Sequence, residues 1–414
     1  MKTFQVPSQY RSPLISAIKA ERKAADRLKK DFTPTRLTIG GLEVILARHF
    51  GFCYGVENAI EIAFRAVEEN PGKRIFLLSE MIHNPGVNAD LIARGVRFLM
   101  DTKGNKIMDW STLRPEDVVV IPAFGTTLEL ADELRALGIE PTQYETTCPF
   151  VEKVWNRAEK IGREGYTLVV HGKPKHEETR ATFSHSSAHA QTVVVKDMAQ
   201  TQLLAQYITG QLPPEQFFED FKGQYAPDFD PIRDLQRIGV VNQTTMLASE
   251  TQGIADYLKN VMIQHYGLDA TTLARHFADT RDTLCYATND NQSAVQGMLL
   301  EEAHLAIVIG GYNSSNTSHL VELCEEKLPT YFIRDESCLL GGSIRHFNMH
   351  TGKEEVTSPY LPETKPVKIL VTSGASCPDA LVERVIIRLA ELTGNDAALE
   401  QVASQWLDGV EQNA

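Results

Sequence analysis

The chain has 414 residues, room for two or three domains, with ordinary hydrophobic (43%) and charged (23%) content. Its net charge of −13 argues against broad nucleic-acid binding, and no apolar run approaches the ~18 residues of a membrane span. Six cysteines with no CxxC pair, and no secretory leader, fit a reducing, cytoplasmic setting. An anionic substrate would have to be held by a local site against the overall field.

Residues 1–41 form an N-terminal extension. Its stretch Ile18 to Phe32 is rich in Lys and Arg but carries Glu21, Asp26 and Asp31. A transit peptide is poor in acids, so a charged surface helix is expected. Cys53 follows in His49-Phe50-Gly51-Phe52-Cys53-Tyr54-Gly55 and precedes helically spaced Ile60, Ala63, Phe64 and Val67. Cys148 in Thr147-Cys148-Pro149 precedes Val151, Val154, Trp155 and Ala158, with Pro149 suited to the first helical position. Cys285 opens Cys285-Tyr286-Ala287-Thr288 in the same manner. A helix start favours thiolate, the form that ligates metal. The separations match no zinc or ferredoxin-type spacing, and a small buried apolar cysteine is the competing reading.

Short apolar runs that end in small polar loops recur along the chain. They are Val118–Ile121 before Pro122-Ala123-Phe124-Gly125, Leu168–Val170 before His171-Gly172-Lys173, and Val240-Val241 before Asn242-Gln243-Thr244. Ala306–Ile309 before Gly310-Gly311-Tyr312-Asn313 and Ile369–Val371 before Thr372-Ser373-Gly374 complete the series. Strand–loop–helix units in series imply α/β modules with mostly parallel sheets, whose functional loops lie at the strands' carboxyl ends. Residues 199–236, with Phe217, Phe218, Phe221, Tyr225 and Phe229, read as a packed helical insertion. Residues 348–366 read as a linker or surface loop, and the tail after Leu392 as polar and peripheral.

Two loops suit an anion. Asn313-Ser314-Ser315-Asn316 and Ser373-Gly374-Ala375-Ser376 each end a strand and start a helix, where N–H groups and hydroxyls bind phosphate without formal charge. Plain N-capping is the alternative. His176 and Glu178 in Lys175-His176-Glu177-Glu178 could position and protonate a substrate, or simply begin a solvated helix. His83, in His83-Asn84-Pro85, stands alone before a turn.

In this order, Gly51-Phe52-Cys53, His83-Asn84, Thr147-Cys148-Pro149, His176-Glu177-Glu178, Gln243-Thr244-Thr245, Cys285-Tyr286-Ala287-Thr288, Asn313–Asn316 and Ser373–Ser376 resemble the 4-hydroxy-3-methylbut-2-enyl diphosphate reductases, the LytB/IspH family. The resemblance spans residue 43 to about residue 390, and no single piece of it is diagnostic. It implies three α/β modules in pseudo-threefold arrangement around one [4Fe–4S] cluster. The first, 42–147, would carry Cys53; the second, 148–280, Cys148 and the insertion near 199–236; the third, 281–392, Cys285, with 393–414 as a tail. The resemblance further implies that Cys53, Cys148 and Cys285 hold three irons, leaving the fourth open. Glu178 would protonate the departing oxygen and Thr244 would orient the substrate hydroxyl. His83, His176, Ser314, Ser315, Asn316 and Ser376 would hold the diphosphate. Ferredoxin or flavodoxin would deliver the electrons, and the products would be isopentenyl and dimethylallyl diphosphate. On so acidic a chain an acidic donor needs a local basic patch, such as Lys153, Arg157 and Lys160.

The chain departs from many bacterial members at Phe124, where they carry histidine. Its extension and insertion resemble members from photosynthetic lineages. Cys324, Cys338 and Cys377 match no ligand role, and Cys324, spaced with Leu320 and Leu323, reads as core. Competing readings are an iron–sulfur dehydratase acting on a phosphorylated small molecule, a non-enzymatic iron–sulfur sensor and a zinc hydrolase.

Overall fold

The computed structural model describes residues 4–278 and 283–412. The chain forms two compact units, one of residues 1–57, 83–87 and 286–414, the other of residues 58–82 and 88–285. Both are α/β with mostly parallel strands.

The first unit is built on a five-stranded sheet in the order Thr35–Ile39, Leu42–Leu46, Val367–Ser373, Leu305–Ile309, Thr330–Ile333. Leu305–Ile309 is buried throughout, as a central parallel strand covered on both faces must be. It pairs in parallel with both neighbours, Ile307 lying opposite Val371 and Tyr331. Val367–Ser373 is also parallel to Leu42–Leu46, so three adjacent strands end at the same edge. The loops leaving that edge hold Cys53, Ser376 and Ser314–Asn316. Only the edge strand Thr35–Ile39 is antiparallel, joined by a Gly40-Gly41 turn in which Gly40 has φ +57°. The sequence reading did not single out this hairpin, although the alternation in Thr35–Ile39 carries its signature.

The second unit has two parallel sheets. One orders Arg97–Phe98, Ile75–Leu77, Val118–Ile121 and Tyr144–Glu145; the other orders Thr192–Val195, Thr167–His171 and Ile238–Asn242. Within residues 199–236 the aromatics stack on one another: Phe217 lies 4.8 Å from Phe221 and 5.0 Å from Phe229, and all three rings are buried.

Three sequence expectations differ in detail. The N-terminal helix is Pro13–Ala25, earlier than Ile18–Phe32, because Ser12 Oγ accepts from the Ile15 amide and Pro13 occupies the first turn. It buries Leu14, Ile15, Ala17 and Ile18, so it is amphipathic rather than a wholly exposed charged helix. Within 348–366, Lys353–Thr357 pairs with Ile344–Asn348 as an antiparallel ribbon, its turn fastened where Asn348 Oδ1 accepts from the His350 and Thr351 amides. The tail forms the helix Asp396–Gln412 and buries Leu399.

Candidate active-site residues

In the first unit the two anion-suited loops and the Cys53 loop are joined through one residue, Ala375. Asn316 Oδ1 accepts from the Ala375 amide at 2.9 Å, and the Ala375 carbonyl accepts from the Cys53 amide at 3.2 Å. Asn316 Oδ1 also accepts from Asn291 Nδ2 at 3.5 Å. Ser376 Oγ donates to the His83 carbonyl at 3.1 Å. Gly311 completes this corner, since a Cβ there would lie 2.4 Å from the His83 carbonyl oxygen. His83, Ser314, Ser315, Asn316 and Ser376 are all buried.

Ser314 caps the helix Ser315–Glu325, as the plainer reading of the loop anticipates. Its oxygen accepts from the Thr317 amide (3.3 Å) and the Thr317 hydroxyl (2.9 Å). A serine hydroxyl has two acceptor lone pairs and one proton, so capping leaves the proton for a further acceptor. Ser315 Oγ and Asn316 Nδ2 are buried with no hydrogen-bond partner. Leaving such groups unsatisfied costs ~1–3 kcal/mol each. This corner therefore presents donor groups without acceptors at a helix N-terminus, which suits an anion.

In the second unit Cys148 stands at the N-cap of the helix Pro149–Arg163. Its amide donates to the Ala123 carbonyl at 3.0 Å, and the Cys285 amide donates to the Thr244 carbonyl at 3.1 Å. The helix start does not make Cys148 a thiolate by itself. Burial pushes its thiol up to about 11, helped by the neighbouring Cys285 and Glu178, while the Phe150 and Val151 amides oppose the rise only in part. Those influences also place Cys148, Cys285 and Glu178 near one another. Two half-buried thiols beside a carboxylate fit a soft metal, whose positive charge would reverse the local preference for protonated thiols.

Glu178 is buried, and one carboxylate oxygen accepts from the Thr244 amide. The Glu178 amide in turn donates to His176 Nδ1 at 3.2 Å, His176 being the N-cap of the helix Glu177–Ser187. With Nδ1 as acceptor, the proton of a neutral imidazole lies on Nε2. Glu177 accepts from Ser79 Oγ. The two adjacent glutamates thus have different partners. Phe124 packs edge-on to His176 with ring centroids 5.6 Å apart.

Six of the predicted residues, Cys53, His83, Ser314, Ser315, Asn316 and Ser376, fall in the first unit, and Cys148, His176, Glu178, Thr244 and Cys285 fall in the second. Among the described residues no three His, Cys, Asp or Glu side chains are grouped as ligands of a metal ion. None of the six cysteines is disulfide-bonded, and Cys324, Cys338 and Cys377 are buried. Burial holds the Cys324 and Cys377 thiols up at about 12.

The family described as LytB protein matches residues 44–390. The chain belongs to the LytB family. Curated relatives named 4-hydroxy-3-methylbut-2-enyl diphosphate reductase include one from a Synechococcus sp., 42% identical over 85% of this chain and 84% of its own. Another, from a Picosynechococcus sp., is 37% identical over 95% of this chain and 92% of its own. Among solved structures, the E-1-hydroxy-2-methyl-but-2-enyl-4-diphosphate reductase from Plasmodium falciparum aligns with a TM-score of 0.60 at 18% identity, over 84% of this chain and 87% of its own. The structure of (E)-4-hydroxy-3-methyl-but-2-enyl diphosphate reductase aligns with a TM-score of 0.50 at 24% identity, over 84% and 99%. At these identities the likeness is one of fold.

Sequence reasoning assigned no role to several residues that fasten these loops within each unit. Gln243 Oε1 accepts from the Lys173 amide (3.1 Å) and from Thr179 Oγ1 (2.9 Å), and Gln243 Nε2 donates to Thr245 Oγ1 (2.7 Å). Gln243 thereby fastens the loop before Glu178 to the loop holding Thr244. The Tyr286 hydroxyl accepts from the Tyr54 amide at 3.0 Å, beside Cys53 in the chain. Trp155 packs where a Gly125 Cβ would lie, 2.5 Å from its ring, and so sets the turn that follows Phe124. Gly125 has φ +78°, the one local signal that could have marked this turn.

Proposed function

We propose that this LytB-family reductase converts 4-hydroxy-3-methylbut-2-enyl diphosphate to isopentenyl and dimethylallyl diphosphate. The observation that carries the reading is the pairing of two chemistries. A buried donor corner at Ser314–Asn316 lacks an anion acceptor, and a buried glutamate at 178 is aligned by Thr244 and His176. Family membership and the names of the cyanobacterial relatives support it.

In this reading Cys53, Cys148 and Cys285 hold one [4Fe–4S] cluster. When bound, the cluster supplies electrons and a Lewis-acidic iron. The chain's own residues bind, orient and protonate. Ser314 through its remaining proton, Ser315 through its hydroxyl and Asn316 through Nδ2 bind diphosphate oxygens, and in the same reading Ser376, His83 and His176 share that task. The capped Nδ1 of His176 leaves Nε2–H as its donor. Thr244 orients the terminal hydroxyl. Glu178 gives its proton to that oxygen as the C–O bond breaks. Overall, two electrons and two protons are taken up, water leaves, and one proton ends on carbon. A one-electron donor such as ferredoxin or flavodoxin supplies the electrons. Lys153, Arg157 and Lys160 recur along the helix Pro149–Arg163, Lys153 and Lys160 being exposed, and offer a positive landing for an acidic donor. Six thiols without a disulfide suit a reducing compartment such as the cytosol. No described helix is long and apolar enough to cross a membrane.

The deciding experiment is iron and sulfide analysis of protein purified without oxygen, with turnover of the diphosphate under reduced ferredoxin. Iron, sulfide and donor-dependent turnover are expected together. Turnover without a reductant would point to a dehydratase, and zinc in place of iron to a hydrolase.

A further inference from the structure

Residues 4–33 lie outside the segment 44–390 matched by the family, yet their side chains end on the stretch that carries Cys53. Lys19 Nζ donates to the Phe50 carbonyl at 2.9 Å, pairs with Asp379 Oδ1 at 2.6 Å and lies 4.6 Å from the Phe50 ring centroid. Gly51 follows with φ +81°, and a Cβ there would lie 2.4 Å from Asp379 Oδ1 and 2.8 Å from Lys19 Nζ. The ion pair therefore occupies the space that a side chain at 51 would need. Tyr10 meets Phe52 edge-on at 6.0 Å, and Phe4 meets Tyr54 edge-on at 4.8 Å. Residues 50, 52 and 54 are thus held by the extension, while the Cys53 amide is held from the other side by Ala375.

A cavity of about 290 Å³, lined by Tyr10, Lys19, Phe52, Glu57 and Asp379 among others, adjoins this stretch. Beside such a space close packing does not fix the backbone, and directional bonds must. The Lys19 ammonium supplies them. It is charge-assisted to a carbonyl and a carboxylate at once, and the carboxylate sits in the first turn of the helix Asp379–Leu392, where the dipole favours it.

We propose that Lys19, through Asp379 and the Phe50 carbonyl, is a positioning residue for Cys53, so that the N-terminal extension sets where this thiolate is presented to iron. The proposal rests on Cys53 being an iron ligand only in its second readout.

The test uses the full chain purified without oxygen, with Lys19→Met, which keeps the apolar stem and removes the donor. Hydrogen exchange of amides 50–57 is compared with that of the central strand Leu305–Ile309, and iron loss to a chelator is timed. Exchange at 50–57 is expected to rise about tenfold with the strand unchanged, and iron to leave about tenfold faster. Should Lys19→Met fail to fold, Asp379→Asn, which keeps an acceptor but no charge, is expected to give about threefold in both readouts. Unchanged exchange at 50–57, a rise shared equally by the central strand, or faster exchange with unaltered iron retention would each overturn the proposal. A wild-type chain that holds no iron would overturn the reductase reading instead, while the exchange comparison would still decide whether Lys19 fastens the loop.

Discussion

Glu178 and Glu177 are adjacent in the chain, and only their partners distinguish them. Glu178 is aligned by Thr244 and Glu177 accepts from Ser79. Glu178→Gln keeps the size and the contact with the Thr244 amide but has no carboxylic proton to give. Turnover is expected to fall about 100- to 10,000-fold with iron content intact, as read by kcat under reduced ferredoxin. Glu177→Gln should cost stability before chemistry, seen as a lowered Tm with kcat changed far less. At the anion corner, Ser315→Ala removes a hydroxyl that no protein group uses, so a several-fold rise in KM with Tm unchanged is expected. Ser314→Ala removes the cap as well and should also lose about 1 kcal/mol of stability. Equal Tm losses in the two variants would show that the capping role had been misplaced. The Ser314 loop was legible as helix-start chemistry; the Ser376 loop differs, because its helix starts only at Asp379 after Pro378 and Ser376 Oγ donates to the His83 carbonyl instead. The use of Ser314 for capping and its spare proton were not legible, because which lone pairs are occupied depends on Thr317 in three dimensions.

At the scale of elements, the turn Pro122–Gly125 shows what sequence patterning carries and what it omits. The apolar run Val118–Ile121 marks its strand to the residue. Nothing in the sequence places Trp155 against Gly125. Gly125→Ala would drive a Cβ into that indole at a φ of +78°, and an unfolding midpoint lower by a few degrees is expected, with Phe124 displaced from His176. The other strands of the repeated strand–loop–helix pattern were legible because buried parallel strands are short, continuous apolar runs. The edge strand Thr35–Ile39 and the ribbon Ile344–Thr357 were less so. Both are half-exposed and antiparallel, and the ribbon's charged residues imitate a loop. Cys148 carries the clearest correction at this scale. Its helix start was foreseen, but desolvation outweighs the helix dipole and holds the thiol protonated in the chain alone.

At the scale of the whole molecule, pH stability should report the burial around the first unit's thiol loop. His49 is half-buried and its imidazole is pushed down to about 4, first by desolvation and then by Arg48, with Lys29 and Lys19 pressing the same way and Asp290 opposing. The unfolded chain takes up this proton near pH 6.5 and the folded chain does not, so stability falls as pH drops from about 6.5 to about 4. Urea unfolding across that window should show the slope, and His49→Asn should flatten it. Which of the predicted residues become neighbours within a unit is set by sheet order, which no local window contains. That order has a metric consequence. Hydrogen bonding spaces adjacent strands about 4.8 Å apart whatever their side chains. The strands that deliver Cys53, Ser376 and Asn316 are consecutive neighbours, so the sheet lays out a ruler about 10 Å long from the thiol loop to the anion corner. In the proposed function substrate length is gauged by backbone pitch, and trimming side chains around Asn316 is expected not to make the protein accept a longer carbon chain, as turnover of a homologated diphosphate would check.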